Sequence, residues 1–255
     1  MNILFISPYL PSETSGHAGA QLIFRNIVSL AKNHQITLAA FIDSGENDMI
    51  KPLINYGINV HTIFYPRNQK SFGGKLSSGI RNIGPMVKFI SGKEPFYFAK
   101  YKNIQMADLI SRLIDENAFD IVQIEYNVMH HYTKQVGNIP NVIVFHDVLS
   151  KVYERGKAFG NTSNNRSYKI SRLLEPSIAN KFNAVVTLTQ EDHDYLQDLG
   201  CRSPIHVIPP QIKIPEIGIT AKSPKSICYV GSYNREPNIQ AVQILIDELF
   251  PNLSG

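Results

Sequence analysis

The sequence predicts an α/β protein: a doubly wound, mostly parallel Rossmann-like sheet, followed by an incomplete second unit of the same kind. Two observations carry this. Over the first 209 residues, short apolar runs rich in Ile, Val and Phe alternate with longer segments of helical period, the pattern of βα units. Strands buried on both faces need crossover helices on both sides, which makes the sheet doubly wound. After residue 209 the texture breaks, then a strand, loop and helix pattern restarts.

The elements follow in order. Strands are expected at 2–8 (NILFISP), 35–42 (QITLAAFI), 58–64 (INVHTIF), 120–126 (DIVQIEY), 141–147 (NVIVFHD), 184–189 (AVVTLT) and 205–209 (IHVIP). A helix over 18–33 places Ile23, Ile27, Leu30 and Ala31 on one stripe, as a helix covering a sheet should. A second, over 104–116, gathers Ile104, Leu109, Leu113 and Ile114. A third opens at Thr189 and closes at Gly200, good start and stop signals. Four prolines without helical or strand period mark 209–225 as a linker, which divides the chain into a domain at 1–208 and a partial unit at 226–255.

Composition narrows the class. With 43% hydrophobic and 18% charged residues, the 255-residue chain is of the soluble globular kind. No apolar run approaches the roughly 20 residues needed to span a bilayer, and the first residues lack a basic region and a small-residue cleavage site. A cytoplasmic protein is the expectation. Cys201 and Cys228 have neither disulfide-framework nor zinc-site spacing. A net charge of +4 without a recognised nucleic-acid motif argues against nucleic acid as a partner.

In open α/β sheets ligands bind beyond the carboxyl ends of the strands. After the first strand, Gly16 and Gly19 flank His17 just ahead of a helix, whose free N–H groups and positive dipole end suit a phosphate. The same glycines would serve equally to turn the loop and bring the helix close to the sheet. A nicotinamide fingerprint is missing, although Asp43 ends the second strand where a ribose-binding acid would stand. His146 and Asp147 end the fifth strand. A histidine there can donate to a hydroxyl or phosphate, and the acid can contact a sugar hydroxyl or simply shape a turn. Glu125 and Tyr126 end the fourth strand, where neighbours point to opposite faces.

Other signals read more plainly. Asp192 and Asp194 resemble a metal-binding D-x-D pair but fall in the first turn of a helix, where Thr189 and Asp192 form a capping box. His130 and His131 are adjacent, with no acid following at ligand spacing, which argues for a surface or sheet-edge role and no metal. The run GNTSNNRS at 160–167 reads as a loop. The segment 67–102 carries eight Lys and Arg residues against one acid, Glu94. Leu76, Ile80, Ile83, Val87 and Ile90 recur in it at helical spacing, and Phe72, Phe89, Phe96, Tyr97 and Phe98 add aromatic bulk. Such a surface could lie on an anionic membrane, or the stripe could pack on the sheet and leave the lysines to water.

Taken in order, ILFISPYLP…SGHAGAQ, NHQITLAAF, FDIVQIEY, VIVFHD, the helix around Glu175, NAVVTLTQEDHDYL, IHVIPP and ICYVGSYNREPNIQAVQILIDELFP resemble the GT-B glycosyltransferases of family 4. The most specific part is the V-G-S, aromatic, P-N signature with Gly231, Ser232, Pro237 and Asn238. The resemblance implies an acceptor-side domain facing a donor domain across a cleft, and retaining, metal-independent transfer from a nucleotide-diphosphate sugar, with no cofactor beyond that co-substrate. It implies that Gly16, His17 and Gly19 lie near the donor phosphates, that His146 faces the transferred sugar, and that Gly231 and Arg235 approach the diphosphate. Glu125 and Tyr126 would face the acceptor, a glycan or lipid-linked molecule at the inner face of the membrane.

There are departures. Pro210 and Gln211 stand where the family has an Asn-Gly turn, and the donor-binding Lys and Arg and the E-x7-E glutamates would lie beyond Gly255. The expectation is a truncated chain without turnover of its own. The alternative is a noncatalytic binding module that forms oligomers or takes a partner through the exposed face of 226–255.

Overall fold

A computed structural model describes residues 1–67, 82–158, 164–211, 227–231 and 236–253. The chain divides into two compact units, Met1–Gln211 and Ile212–Gly255.

The first unit is built on seven strands, all parallel, in the order β3-β2-β1-β4-β5-β6-β7. They are β1 (Asn2–Ser7), β2 (Gln35–Ile42), β3 (Asn59–Phe64), β4 (Ile121–Glu125), β5 (Asn141–Phe145), β6 (Ala184–Thr187) and β7 (Ile205–Val207). All seven expected runs are strands, each within two residues of its expected ends. The order reverses between β1 and β4, which creates the switch point where ligands of open α/β sheets bind.

Two cores flank the sheet. On one face α1 (Ala18–Ala31) and α2 (Ile50–Asn55) bury Ile23, Phe24, Ile27 and Leu53 against Ile3, Phe5, Ile36, Leu38 and Ala40. On the other, α5 (Ile104–Glu116) places Met106, Leu109, Ile110 and Leu113 against Leu4, Ile6, Val122 and Ile124. The same core takes in Val128, Met129 and Tyr132 of a 3₁₀ helix (Asn127–Tyr132), Val136 of α6 (Thr133–Val136), Ile178 of α8 (Asn164–Ala179) and Leu196 of α9 (Gln190–Asp198). Each fully buried Leu, Ile or Phe contributes roughly 1.5–3 kcal/mol, so the two stripes give most of the driving force. The Asn103 side chain caps α5 by accepting from Met106 N at 3.1 Å. Thr189 and Asp192 cap α9 reciprocally, and Gly200 leaves it at φ +100°.

Several expectations change. The run 160–167 is not all loop: α8 already begins at Asn164, while 160–163 lie outside the described residues. In the basic segment, 68–81 lie outside them too. Helix α3 (82–90) leaves Ile83, Met86, Val87 and Ile90 exposed. Phe98, expected as surface bulk, is fully buried in α4 (Phe96–Ala99). Arg67 is not a free cation, because it pairs with Glu46 and Asp43. No helix among the described residues is long and apolar enough to cross a membrane.

In the second unit, residues 227–230 carry no strand ladder. Among the described residues of this unit no other strand is there for them to pair with. Helix α10 (Glu236–Ile244) continues through a π turn (Leu245–Leu249) into α11 (Phe250–Leu253), with Ile244, Ile246, Leu249 and Phe250 exposed.

Candidate functional site

Parallel strands deliver their last residues to one edge, and β1, β4 and β5 are neighbours at the switch point. That placement collects side chains far apart in sequence. His146, the residue after β5, sets Nε2 2.8 Å from Oε2 of Glu125, the last residue of β4. Both side chains are almost fully buried, and Oε1 of Glu125 accepts from Gln123 Nε2 at 2.7 Å. A carboxylate on Nε2 fixes the imidazole plane and, in the neutral ring, leaves Nδ1 as the acceptor.

Tyr126 closes the other side of His146. The two rings stack at 3.8 Å between centroids and 5° between planes. Tyr126 has φ +67° and ψ 134°, and it alone among the described non-glycine residues has positive φ. Such backbone costs on the order of 1–3 kcal/mol and persists where surrounding contacts enforce it, often at functional sites. The enforcing contacts are visible. A Cβ on Gly19 would lie 1.7 Å from the Tyr126 hydroxyl, so α1 can pass this close only with glycine there. Burial pushes the Tyr126 hydroxyl far above its ordinary pKa, which keeps it a neutral donor.

The loop after β1 completes the arrangement. Tyr9 stacks on His17 at 4.2 Å and meets Tyr126 edge-on at 5.5 Å. Its hydroxyl joins those of Tyr97, at 2.9 Å, and Tyr101, at 3.2 Å. His17 is exposed at the N-cap of α1 without a side-chain cap bond, and the first turn holds no acid, so this end of the helix keeps its positive character. Gly16 is exposed, and a Cβ there would meet no atom within 4 Å.

Beneath the edge lies a residue to which the sequence assigned no role. Glu175 of α8 is fully buried and receives four donors: Asn127 Nδ2 at 2.8 Å, Leu149 N at 2.7 Å, Ser150 N at 3.0 Å and Ser150 Oγ at 2.5 Å. It thereby caps α7 (Leu149–Ala158) from a distance and ties the residue after Tyr126 to the turn after His146. Burial raises its carboxyl to about 7, against those hydrogen bonds. Asp147 itself is exposed. A cavity of about 320 Å³ opens beside His146, lined by Leu22, Arg25, Gln123, Val144 and Val186 among others.

The geometry therefore brings Gly19, His17, Glu125, Tyr126 and His146 together at one edge. Glu125 serves there as the buried partner of His146, and Tyr126 as its lid. Asp43 is occupied by the amide and hydroxyl of Ser44 and by Arg67 N, so it is built into its own turn. Gly231 is half-buried in the second unit, and Arg235 lies outside the described residues. Strand-end position signalled the cluster. Nothing in the sequence signalled the pairing of Glu125 with His146 across strands, the positive φ of Tyr126 or the reach of Glu175.

His130 and His131 are also not surface residues. Their Nε2 atoms lie 3.2 and 3.0 Å from Oε1 of Glu94, whose Oε2 meets Lys88 Nζ at 2.7 Å. The acid precedes His130 by 36 residues, which no local spacing could reveal.

Comparison with known proteins gives the family. The family model described as Glycosyltransferase Family 4 matches residues 48–214. Sucrose-phosphate synthase from Thermosynechococcus elongatus has a similar structure, with a TM-score of 0.53 and 11% identity over 82% of this chain and 48% of that one. The lipopolysaccharide outer core galactosyltransferase WaaB is matched with a TM-score of 0.47 and 12% identity over 89% and 50%. Arabidopsis thaliana UGT89C1, complexed with UDP-L-rhamnose, gives 0.47 and 10% over 88% and 55%. This chain spans about half the length of each. No individual curated protein sequence matches it. With the family model covering more than half of the residues, on a parallel Rossmann-like sheet, the chain belongs to glycosyltransferase family 4.

Proposed function

We propose that the β1–β4–β5 edge is the sugar-handling side of a glycosyl transfer. The donor would be a nucleotide-diphosphate sugar and the acceptor a glycan or lipid-linked glycan. Transfer would proceed with retention and without a metal ion. The observation that carries this is the buried Glu125–His146 pair under the strained, stacked Tyr126, set beside the N-terminus of α1. The imidazole, oriented by its carboxylate, would present Nδ1 to a sugar hydroxyl, and the aromatic rings of Tyr9, Tyr126 and His17 would offer faces to a pyranose. The unacidified first turn of α1, with Gly16 giving access, suits the diphosphate.

A position at the cytoplasmic face of a membrane belongs to the same reading. It is supported by the exposed Ile83, Met86, Val87 and Ile90 of α3 with Lys93 close behind in the chain.

The test is ligand-observed NMR on the chain with UDP-glucose, UDP-galactose, GDP-mannose and short-chain glycolipids as probes. Saturation transfer to sugar protons, abolished in Tyr126→Ala and His146→Ala, is the expected result. If none of these carbohydrates binds the folded chain, or if binding ignores both substitutions, the reading fails.

A further inference from the structure

Away from the strand-end cluster, a cavity of about 900 Å³ lies where α5, the 3₁₀ helix and α6 meet, and it shares no lining residue with that cluster. Its walls carry Lys102, Lys134 and Lys181, together with His130, His131 and Gln135, and no carboxylate. All three lysines are exposed, and among the described residues none of them has a carboxylate partner. Like charges converging on one concavity without counter-charge raise the local concentration of anions.

Two further features point the same way. The first turn of α5 opens onto the cavity through Asn103 and Ile104. Asn103 Oδ1 satisfies Met106 N, which leaves the N–H groups of Ile104 and Gln105 for a ligand, and that turn holds no acid. Among the described residues Oε1 of Gln135 is buried without a hydrogen-bond partner, an acceptor that a hydroxyl next to a phosphate would satisfy.

Two of the lining residues, His130 and His131, form with Glu94 a group that has the composition of a metal site, and its ligand atoms lie within 4.8 Å of one another. Charge argues against a cation. Lys88 already neutralises Glu94 at 2.7 Å, and Nε2 of His131, 3.1 Å from the carbonyl of Phe98, is committed as a donor. A divalent ion would also face Lys181, whose charge adds to burial in opposing protonation of His130.

We propose that this basic cavity binds a phosphate-bearing ligand, a phosphomonoester or diphosphate with a neighbouring hydroxyl. The ammonium groups of Lys102, Lys134 and Lys181 grip the phosphate oxygens, and the start of α5 completes the shell. Such chemistry belongs to a soluble sugar phosphate and to an anionic lipid headgroup alike.

The experiment separates the sources. Pyrophosphate and glucose 1-phosphate are titrated calorimetrically at constant ionic strength, and the protein is co-sedimented with vesicles of phosphatidylcholine alone or mixed with phosphatidylglycerol. Each is repeated with the Lys102→Gln, Lys134→Gln, Lys181→Gln triple variant, whose exposed sites leave the core untouched. Saturable binding of the soluble phosphates, weakened about tenfold or more in the triple variant, supports a soluble ligand. Sedimentation only with anionic vesicles, weakened similarly, supports a headgroup. Binding that survives the triple substitution, or no binding to any probe, overturns the proposal.

Discussion

Nε2 of His146 meets Oε2 of Glu125 at 2.8 Å inside the protein, where neither group can exchange its partner for water. The pair spans two adjacent strands and 21 residues of sequence, and it turns a strand-end histidine into an oriented one. Substituting Glu125→Gln keeps the volume but removes the charge that selects the Nε2–H form. Nitrogen-15 NMR of the imidazole is expected to show the Nε2–H tautomer in the native protein and a mixture in the variant. An identical tautomer in both would show that Glu125 does not orient the ring.

The contact between Gly19 and Tyr126 makes a second prediction. Gly19→Ala puts a methyl 1.7 Å from the tyrosine hydroxyl, so the ring must leave its stack on His146. The expected loss is about 1–3 kcal/mol in urea unfolding. Gly16→Ala, with open space around it, should change stability by less than about 0.5 kcal/mol. In a double-mutant cycle, Tyr126→Ala should relieve most of the Gly19→Ala cost.

Glu175 and the Glu94 cluster give opposite pH dependences. Glu175 has its folded pKa raised from 4.5 to about 7 by burial. Its contribution is complete below pH 4.5 and fades as pH rises through about 7, by about 3 kcal/mol. Glu175→Gln should flatten that slope while lowering stability at every pH, because two donors lose their acceptor.

Burial pushes His130 down from 6.5 to about 4, so its neutral form is favoured in the fold. Burial would raise Glu94, but the hydrogen bonds from His130, His131 and Lys88 outweigh it and hold the carboxyl well below its ordinary range. Both depressed values give stability that is present above the unfolded pKa and lost on acidification. For His130 this means between about pH 6.5 and 4, followed by Glu94 below about 4.5. In a pH series of urea midpoints, Glu94→Gln should remove the part of the acid limb below about pH 4.5 and leave the part between about 6.5 and 4, which burial of His130 sets; an unchanged limb below 4.5 would assign that part elsewhere.

The sheet was legible because its strands are apolar on both faces and stand out from helical segments. Ile23 and Ile27 on α1, and Leu109 and Leu113 on α5, occupy the core that their period foretold. The members of the strand-end cluster were legible too, since chemistry in such sheets gathers at the carboxyl ends. Their relations were not. Which carboxylate reaches His146 depends on the β4–β5 register, and a tyrosine gives no sign that its φ is positive. Arg67 counted toward the basic surface of 67–102 because its partners, Asp43 and Glu46, sit on another turn. Phe98 looked exposed because a four-residue helix has too short a period to reveal a buried side.

If His146 and Tyr126 handle a sugar, the direct measurement is the response of their ring resonances to carbohydrate ligands. In a chain with labelled histidine and tyrosine, adding the nucleotide sugar or glycolipid that binds should shift the His146 and Tyr126 signals together, saturably. In Glu125→Gln the shift should shrink. A ligand that binds and moves resonances elsewhere, leaving both rings unchanged, would contradict that role.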